Sequence, residues 1–261
     1  MLNEIDGVWS LSEPDVYFDM GMRRGLLDPA EVPGLIRSCT RLLFRPPAGR
    51  DVHTMAIKFR ADALHRAERF HAAFPDASCV FMYRDGARWA RSFYYFMRNL
   101  GIEPVLDRET RQFVWWIMSG AADPAKLAPY VDMDAEEVYQ EQLLAPIWAL
   151  DLDEYLRQFD QGVPFLAVRY NELTADRTGV VARLLRHCGL PNGALAQAMR
   201  AFERDSQEGT AIARSNRAAS YTEANAARFL ATLARHPRIR SPDYRLPDIH
   251  NPGTAPEAPA R

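Results

Sequence analysis

Lysine is nearly absent from this sequence: of 32 basic residues only Lys58 and Lys126 are lysines, and the rest are arginines. A coding bias toward arginine accounts for most of the imbalance. It also means that any anion site must be built mainly from guanidinium forks, which grip phosphate or sulfate oxygens in pairs. Cysteine is scarce too. Cys39, Cys79 and Cys188 are odd in number, far apart and without Cys or His at ligand spacing, which excludes a disulfide framework and a structural zinc site. No apolar run approaches the roughly 18 residues that a membrane span needs. The first 24 residues carry Glu4, Asp6, Glu13, Asp15 and Asp19 and no apolar core of the signal-peptide kind. A reducing, cytoplasmic setting is therefore expected.

Several catalytic signatures are missing as well. The fourteen glycines never form GxG, so there is no dinucleotide fingerprint. Neither lysine stands between Gly and Ser or Thr, so there is no GxxxxGK[ST] loop. There is no GxSxG elbow and no HExxH, and the six histidines do not cluster. His65 and His71, six apart on an expected helix, read as surface residues rather than ligands, and no metal is expected. A net charge of -2 gives no global reason to expect nucleic acid or an anionic membrane as partner.

What the chain does have is an ordinary globular balance, 48% hydrophobic and 25% charged, over 261 residues. Disordered, collagen-like and coiled-coil classes are excluded by it. Four short apolar runs read as buried strands: Gly7–Ser12, Thr54–Phe59, Ser78–Tyr83 and Pro164–Tyr170. Their continuous rather than alternating hydrophobicity suits a parallel sheet covered on both faces. Helical patterns lie near 30–45, 61–73, 87–100, 108–120, 134–159, 175–189, 194–204 and 222–236. Strands alternating with helices predict a three-layer αβα fold with a mainly parallel sheet. One domain over residues 1–240 is expected, with a helical cap inserted at about 108–159 and a Pro-rich C-terminal tail over 241–261.

The segment Pro75–Phe93 (PDASCVFMYRDGARWARSF) carries the chemistry. A strand ends at Tyr83, Arg84 stands at its carboxyl end, Asp85-Gly86 turns, and a helix runs through Ser92. Open α/β sheets bind ligands beyond the carboxyl ends of their strands. Ser92 lies about two turns into the helix, some ~10 Å along at ~1.5 Å per residue, within reach of a folded-back arginine. A guanidinium and a hydroxyl converging on one small anion form a phosphate-holding pair. A strand-end surface charge and an incidental helix serine is the alternative at this point.

The same segment resembles the 3′-phosphate-binding segment of the sulfotransferases that use 3′-phosphoadenosine 5′-phosphosulfate (PAPS): apolar strand, Arg, then Ser eight residues on, as Arg84 and Ser92 stand here. Val163–Leu173 (VPFLAVRYNEL) followed by Leu184–Pro191 (LLRHCGLP) is similar to the family's late strand and the helix that closes with GLP. This implies that Tyr170 lies near the adenine ring. Ser12-Glu13-Pro14 resembles the segment that follows the family's first helix, and Thr54–Arg60 resembles the strand whose lysine, here Lys58, faces the active site. Asp205–Thr210 with Arg214 resembles the loop that closes over the nucleotide, which implies cofactor roles for Gln207 and Arg214. The family's P-loop-like fold also carries a glycine- and serine-rich loop for the 5′-phosphosulfate, between its first strand and first helix. No such loop is among these residues, so the first βα unit is expected to be missing, with Met1 an internal methionine of a longer chain; a degenerate member is the alternative.

The implied chemistry is sulfuryl transfer from PAPS to a hydroxyl or amine of a small-molecule or carbohydrate acceptor, without metal. Where many members have a histidine two residues after the strand lysine, this chain has Arg60, which cannot act as a base. Glu13 is the candidate base, like the glutamate of some carbohydrate sulfotransferases, the alternative being a capping carboxylate ahead of Pro14. Lys58 would neutralise the bridging oxygen. Phe93–Phe96 and Trp115-Trp116 read as core before acceptor platform. A non-catalytic module that binds the 3′-phosphoadenosine nucleotide is the second functional reading.

Overall fold

Gly7 sets the first strand of the fold. Its φ of +71° is open to glycine, and a Cβ there would lie 2.1 Å from the ring of His53, so the chain enters β1 (Val8–Ser12) through a turn no larger residue fits. In the computed structural model, which describes residues 1–22, 26–45, 49, 51–118, 124–191, 193–203 and 220–250, β1 pairs in parallel with β2 (Thr54–Lys58), Val8 opposite Thr54 and Ser12 opposite Lys58. Next comes β3 (Cys79–Tyr83). A two-residue pair follows, β4 (Val105–Leu106) with β5 (Val138–Tyr139), antiparallel. The last strand, β6 (Phe165–Arg169), runs parallel to β3 from Cys79 opposite Phe165 to Tyr83 opposite Arg169. All four expected strands are present within a residue or two of their expected ends.

The helices in chain order are α1 (Asp15–Met22), α2 (Val32–Leu43), α3 (Ala67–Ala73), α4 (Gly86–Asn99), α5 (Arg108–Met118), α6 (Gln140–Asp160), α7 (Tyr170–Ala175), α8 (Arg177–His187), α9 (Ala194–Met199) and α10 (Glu223–Leu233). Every residue of β6 is buried, because helices cover both of its faces. Phe165 and Ala167 pack with Trp148, Leu152, Tyr155 and Leu156 of α6 and Phe229 of α10. Leu166 and Val168, the alternate positions, pack with Val180 and Leu184 of α8. This is the αβα layering that the continuous apolar runs imply. Burying a residue such as Leu166, with none of its surface exposed, stabilises the fold by about 1.5–3 kcal/mol.

Two parts of the expected organisation change. The stretch at 108–159 does not stand wholly beside the sheet: α5 and the β4–β5 pair do, but α6 is the covering helix of the sheet itself. Its 21 residues bury so much of their surface because one face meets the sheet while another meets α5. The segment placed in a tail from 241 onward packs firmly at first. The Pro242 carbonyl accepts from Gly86 N (2.8 Å), and Ile249 N donates to the Phe165 carbonyl (3.2 Å). Tyr155 donates its hydroxyl hydrogen to the Pro247 carbonyl (2.7 Å), so residues 241–249 form a strap that runs from the β3–α4 turn to the start of β6.

The sheet is interrupted. Among the described residues no ladder joins the β1–β2 pair to the β3–β6 pair. Met55 on β2 is 51% exposed and Val80 and Met82 on β3 are 37% and 48% exposed, unlike the uniformly covered β6.

Candidate active site

The turn from β3 into α4 is pinned from both sides. Asp85 caps the helix, its Oδ1 accepting from Arg88 N at 2.9 Å, which satisfies one of the open amides of the first turn. Gly86 comes so close to α6 and α10 that a Cβ would meet Trp148 at 3.1 Å and Phe229 at 3.2 Å. Trp148 also donates its indole N–H to the Arg84 carbonyl (3.1 Å). The Arg84 backbone is therefore held, while its side chain projects beyond the strand end.

That side chain meets two of the residues expected with it. Its Nη1 lies 3.4 Å from Ser92 Oγ, and its guanidinium carbon sits 4.1 Å from the centroid of the Tyr170 ring, a cation–π contact. Arg84 makes no ion pair among the described residues, so most of its five N–H donors remain available to an anion. Tyr170 opens α7 directly after β6 and is half-buried. Arg84, Ser92 and Tyr170, scattered over 87 positions of sequence (84 to 170), thus converge at the carboxyl ends of the central strands.

A network around them was not anticipated from the sequence. Asn171 Nδ2 donates to Asp85 Oδ2 at 2.7 Å, and Arg88 Nη1 donates to Asn171 Oδ1 at 3.2 Å. Glu172 receives Arg245 (3.2 Å) and Arg183 (3.4 Å). The one available signal was spacing: Arg84, Arg88 and Ser92 recur every four residues, which puts Arg88 and Ser92 on one side of α4. Nothing local pointed from Asp85 to a partner 86 residues away.

The second group stands at the ends of β1 and β2. Lys58 Nζ lies 2.5 Å from Glu13 Oε1, and Arg60 approaches the other carboxylate oxygen at 3.7 Å while pairing with Asp15 at 2.6 Å. The Glu13 carboxylate therefore faces cations from β2 and the residues just after it rather than capping α1. Its backbone is unusual: φ is +53°, the sole positive value at a non-glycine residue among those described, and its N–H donates to the Lys58 carbonyl at 2.7 Å. A β-carbon residue in this region costs on the order of 1 kcal/mol. Such strain persists where surrounding contacts over-determine it. Lys58 is well exposed and Glu13 partly so.

Gln207 and Arg214 lie outside the described residues. His65 is not a surface residue: its side chain is 12% exposed and its Nε2 is 3.0 Å from Asp151 of α6, whose carboxyl burial pushes above the usual range. The two line a cavity of about 440 Å³ with Trp115, Ile147 and Arg157, and neither Arg84 nor Glu13 borders it. Of the aromatic cluster, Tyr94 and Trp115 are buried in the core, while Trp116 is 46% exposed. Among the described residues, no helix is long and apolar enough to cross a membrane.

The site thus holds a guanidinium, a hydroxyl and an accessible aromatic ring in one group, and a carboxylate with an ammonium in the other. The first can hold a phosphate and a planar base; the second can accept a proton and neutralise an oxyanion. A family model described as "Sulfotransferase domain" matches residues 67–229. A solved sulfotransferase from Alicyclobacillus acidocaldarius is similar at 14% sequence identity and a TM-score of 0.38, over 88% of this chain and 96% of that one. No curated protein matches.

Proposed function

The chain belongs to the sulfotransferase family and is an enzyme of the transferase class, and on that premise we propose that it moves a sulfuryl group from PAPS to a hydroxyl or amine of a small-molecule or carbohydrate acceptor. The observation that carries the donor assignment is the convergence of Arg84, Ser92 and Tyr170 at the ends of β3 and β6. Arg84 and Ser92 take the 3′-phosphate and Tyr170 packs against the adenine.

Sulfuryl transfer is an in-line displacement, so positioning and charge stabilisation supply most of the rate. In this reading Glu13 accepts the acceptor's proton as the new bond forms, S–O for a hydroxyl or S–N for an amine. Lys58 offsets the charge on the bridging oxygen as the old S–O bond breaks, leaving adenosine 3′,5′-bisphosphate. The two groups are paired with each other at 2.5 Å, so donor and acceptor must part them before each serves its own end of the in-line axis.

Titration calorimetry with adenosine 3′,5′-bisphosphate tests the donor site. Arg84→Ala is expected to weaken binding by roughly 10- to 100-fold, the size of one or two hydrogen bonds to a charged group. Adenosine 5′-monophosphate, which lacks the 3′-phosphate, is expected to bind the wild type and the variant alike. Equal affinity of wild type and Arg84→Ala for the bisphosphate would sink the assignment. Tight, Arg84-dependent binding with no sulfuryl transfer to any hydroxyl or amine acceptor would favour the nucleotide-binding module instead.

A further inference from the structure

The β3–β6 ladder ends with Tyr83 opposite Arg169, yet the register does not stop there. The next opposed residues are Arg84 and Tyr170, joined ring to guanidinium at 4.1 Å. After them come Asp85 and Asn171, joined carboxylate to amide at 2.7 Å. Two rungs made of side chains thus extend the ladder past its last backbone rung, into the crevice where the donor would sit. The outer rung is the more constrained. Asp85 is buried to 5% exposure, where a hydrogen bond to a charged acceptor is strengthened. Arg88 closes the ring, bonding Asn171 Oδ1 at 3.2 Å and approaching Asp85 Oδ2 at 3.7 Å.

We propose that Asp85 and Asn171 are positioning residues, forming a latch that holds Tyr170 and Arg84 in the mutual arrangement that nucleotide binding uses. The inference rests on the reading of Arg84 and Tyr170 as the nucleotide clamp. Helix capping does not account for the latch. The cap uses only Oδ1 of Asp85, toward Arg88 N; Oδ2 is spent on a residue from a different helix, one position after Tyr170. Without that bond, α7 is joined to the β3–α4 turn through the Arg84–Tyr170 stack and the long reach of Arg88, and the ring is free to turn about its own backbone.

Asn171→Ala removes the latch and leaves the cap. Its unfolding midpoint is expected to fall modestly, as for one hydrogen bond lost by a buried carboxylate, while the dissociation constant for adenosine 3′,5′-bisphosphate rises about tenfold because the ring and guanidinium are no longer held in register. The exchange variant Asp85→Asn with Asn171→Asp keeps a cap-competent residue at 85 and restores the pair with donor and acceptor reversed. It is expected to return affinity to within roughly threefold, since the two sites are in contact and non-additive. A ligand-free readout separates this idea from the donor assignment. The Arg84 Nε–H resonance should carry a ring-current shift from Tyr170, reduced in Asn171→Ala and recovered in the exchange variant. An unchanged shift in Asn171→Ala, or unchanged affinity when the wild type binds, overturns the latch. A wild type that binds no bisphosphate but shows the latch-dependent shift overturns the donor reading and leaves the latch standing.

Discussion

Glu13 concentrates two properties that are separable by substitution. Its carboxylate is the proposed base, and its backbone is held at a φ of +53°. Glu13→Gln keeps the size and removes the base, so turnover is expected to fall by roughly 10²- to 10⁴-fold with little change in donor affinity. Glu13→Gly and Glu13→Ala both remove the carboxylate, but only glycine relaxes the backbone. Glu13→Gly should therefore be the more stable of the two by about 1 kcal/mol in denaturant unfolding, and equal midpoints would mean that φ is not strained in solution. His187, at the end of α8, holds its proton less readily than an exposed histidine. Burial, and then the neighbouring His250, lower its pKa from the ordinary value while its ring nitrogen meets the Cys79 carbonyl at 3.0 Å. The folded state thus binds fewer protons than the unfolded one just below the unfolded value of about 6.5. Its stabilisation is complete above that pH and is lost as pH falls through the lower, folded value. The melting temperature should drop on going from pH 7.5 to 5, and drop less in His187→Gln.

At the level of elements, α4 is useful because its first turn cannot move. Gly86→Ala would press a methyl group into Trp148 and Phe229 at 3.1–3.2 Å. The expected cost is about 1–3 kcal/mol of stability, accompanied by weaker nucleotide binding, because the same turn aims Arg84. Stability lost without any change in affinity would show that the helix shifts as a body and leaves the clamp intact. The sheet strands were legible in the sequence because each is a short unbroken apolar run; Arg84 and Ser92 were legible as neighbours because one stands at a strand end and the other at helical spacing from it, whereas Tyr170 entered through the family resemblance alone. What was hidden depends on pairs distant in sequence. Asp85 reads locally as a turn residue and Asn171 as a polar helix start; their contact exists only because β3 and β6 lie side by side in one register. The role of α6 was hidden for a related reason. A helix buried on more than one face loses the one-sided pattern that distinguishes a covering helix from an inserted one.

The whole molecule presents two parallel strand pairs that no ladder joins among the described residues, with Met55, Val80 and Met82 partly exposed on them. Unpaired edges flanked by apolar side chains template further pairing. The 261-residue chain is expected to self-associate at high concentration in a way that added salt does not suppress. Met55→Lys with Met82→Lys should reduce the sedimenting oligomer while costing little stability, since both side chains face solvent. A wild-type chain that stays monodisperse across that range would show that the edges are protected. The strap over residues 241–249 bears on the order of events during synthesis. Leu246 N donates to the hydroxyl of Tyr83, 163 residues earlier, and Pro242 receives the first amide of α4. Long-range closures of this kind form late in folding. Since the ribosome releases these strap residues long after β3 and α4 have emerged, a nascent chain holds Arg84 with its turn only half secured. Nucleotide should therefore engage the protein only once the strap has emerged, and a chain stalled before residue 241 should be folded in part and blind to its ligand.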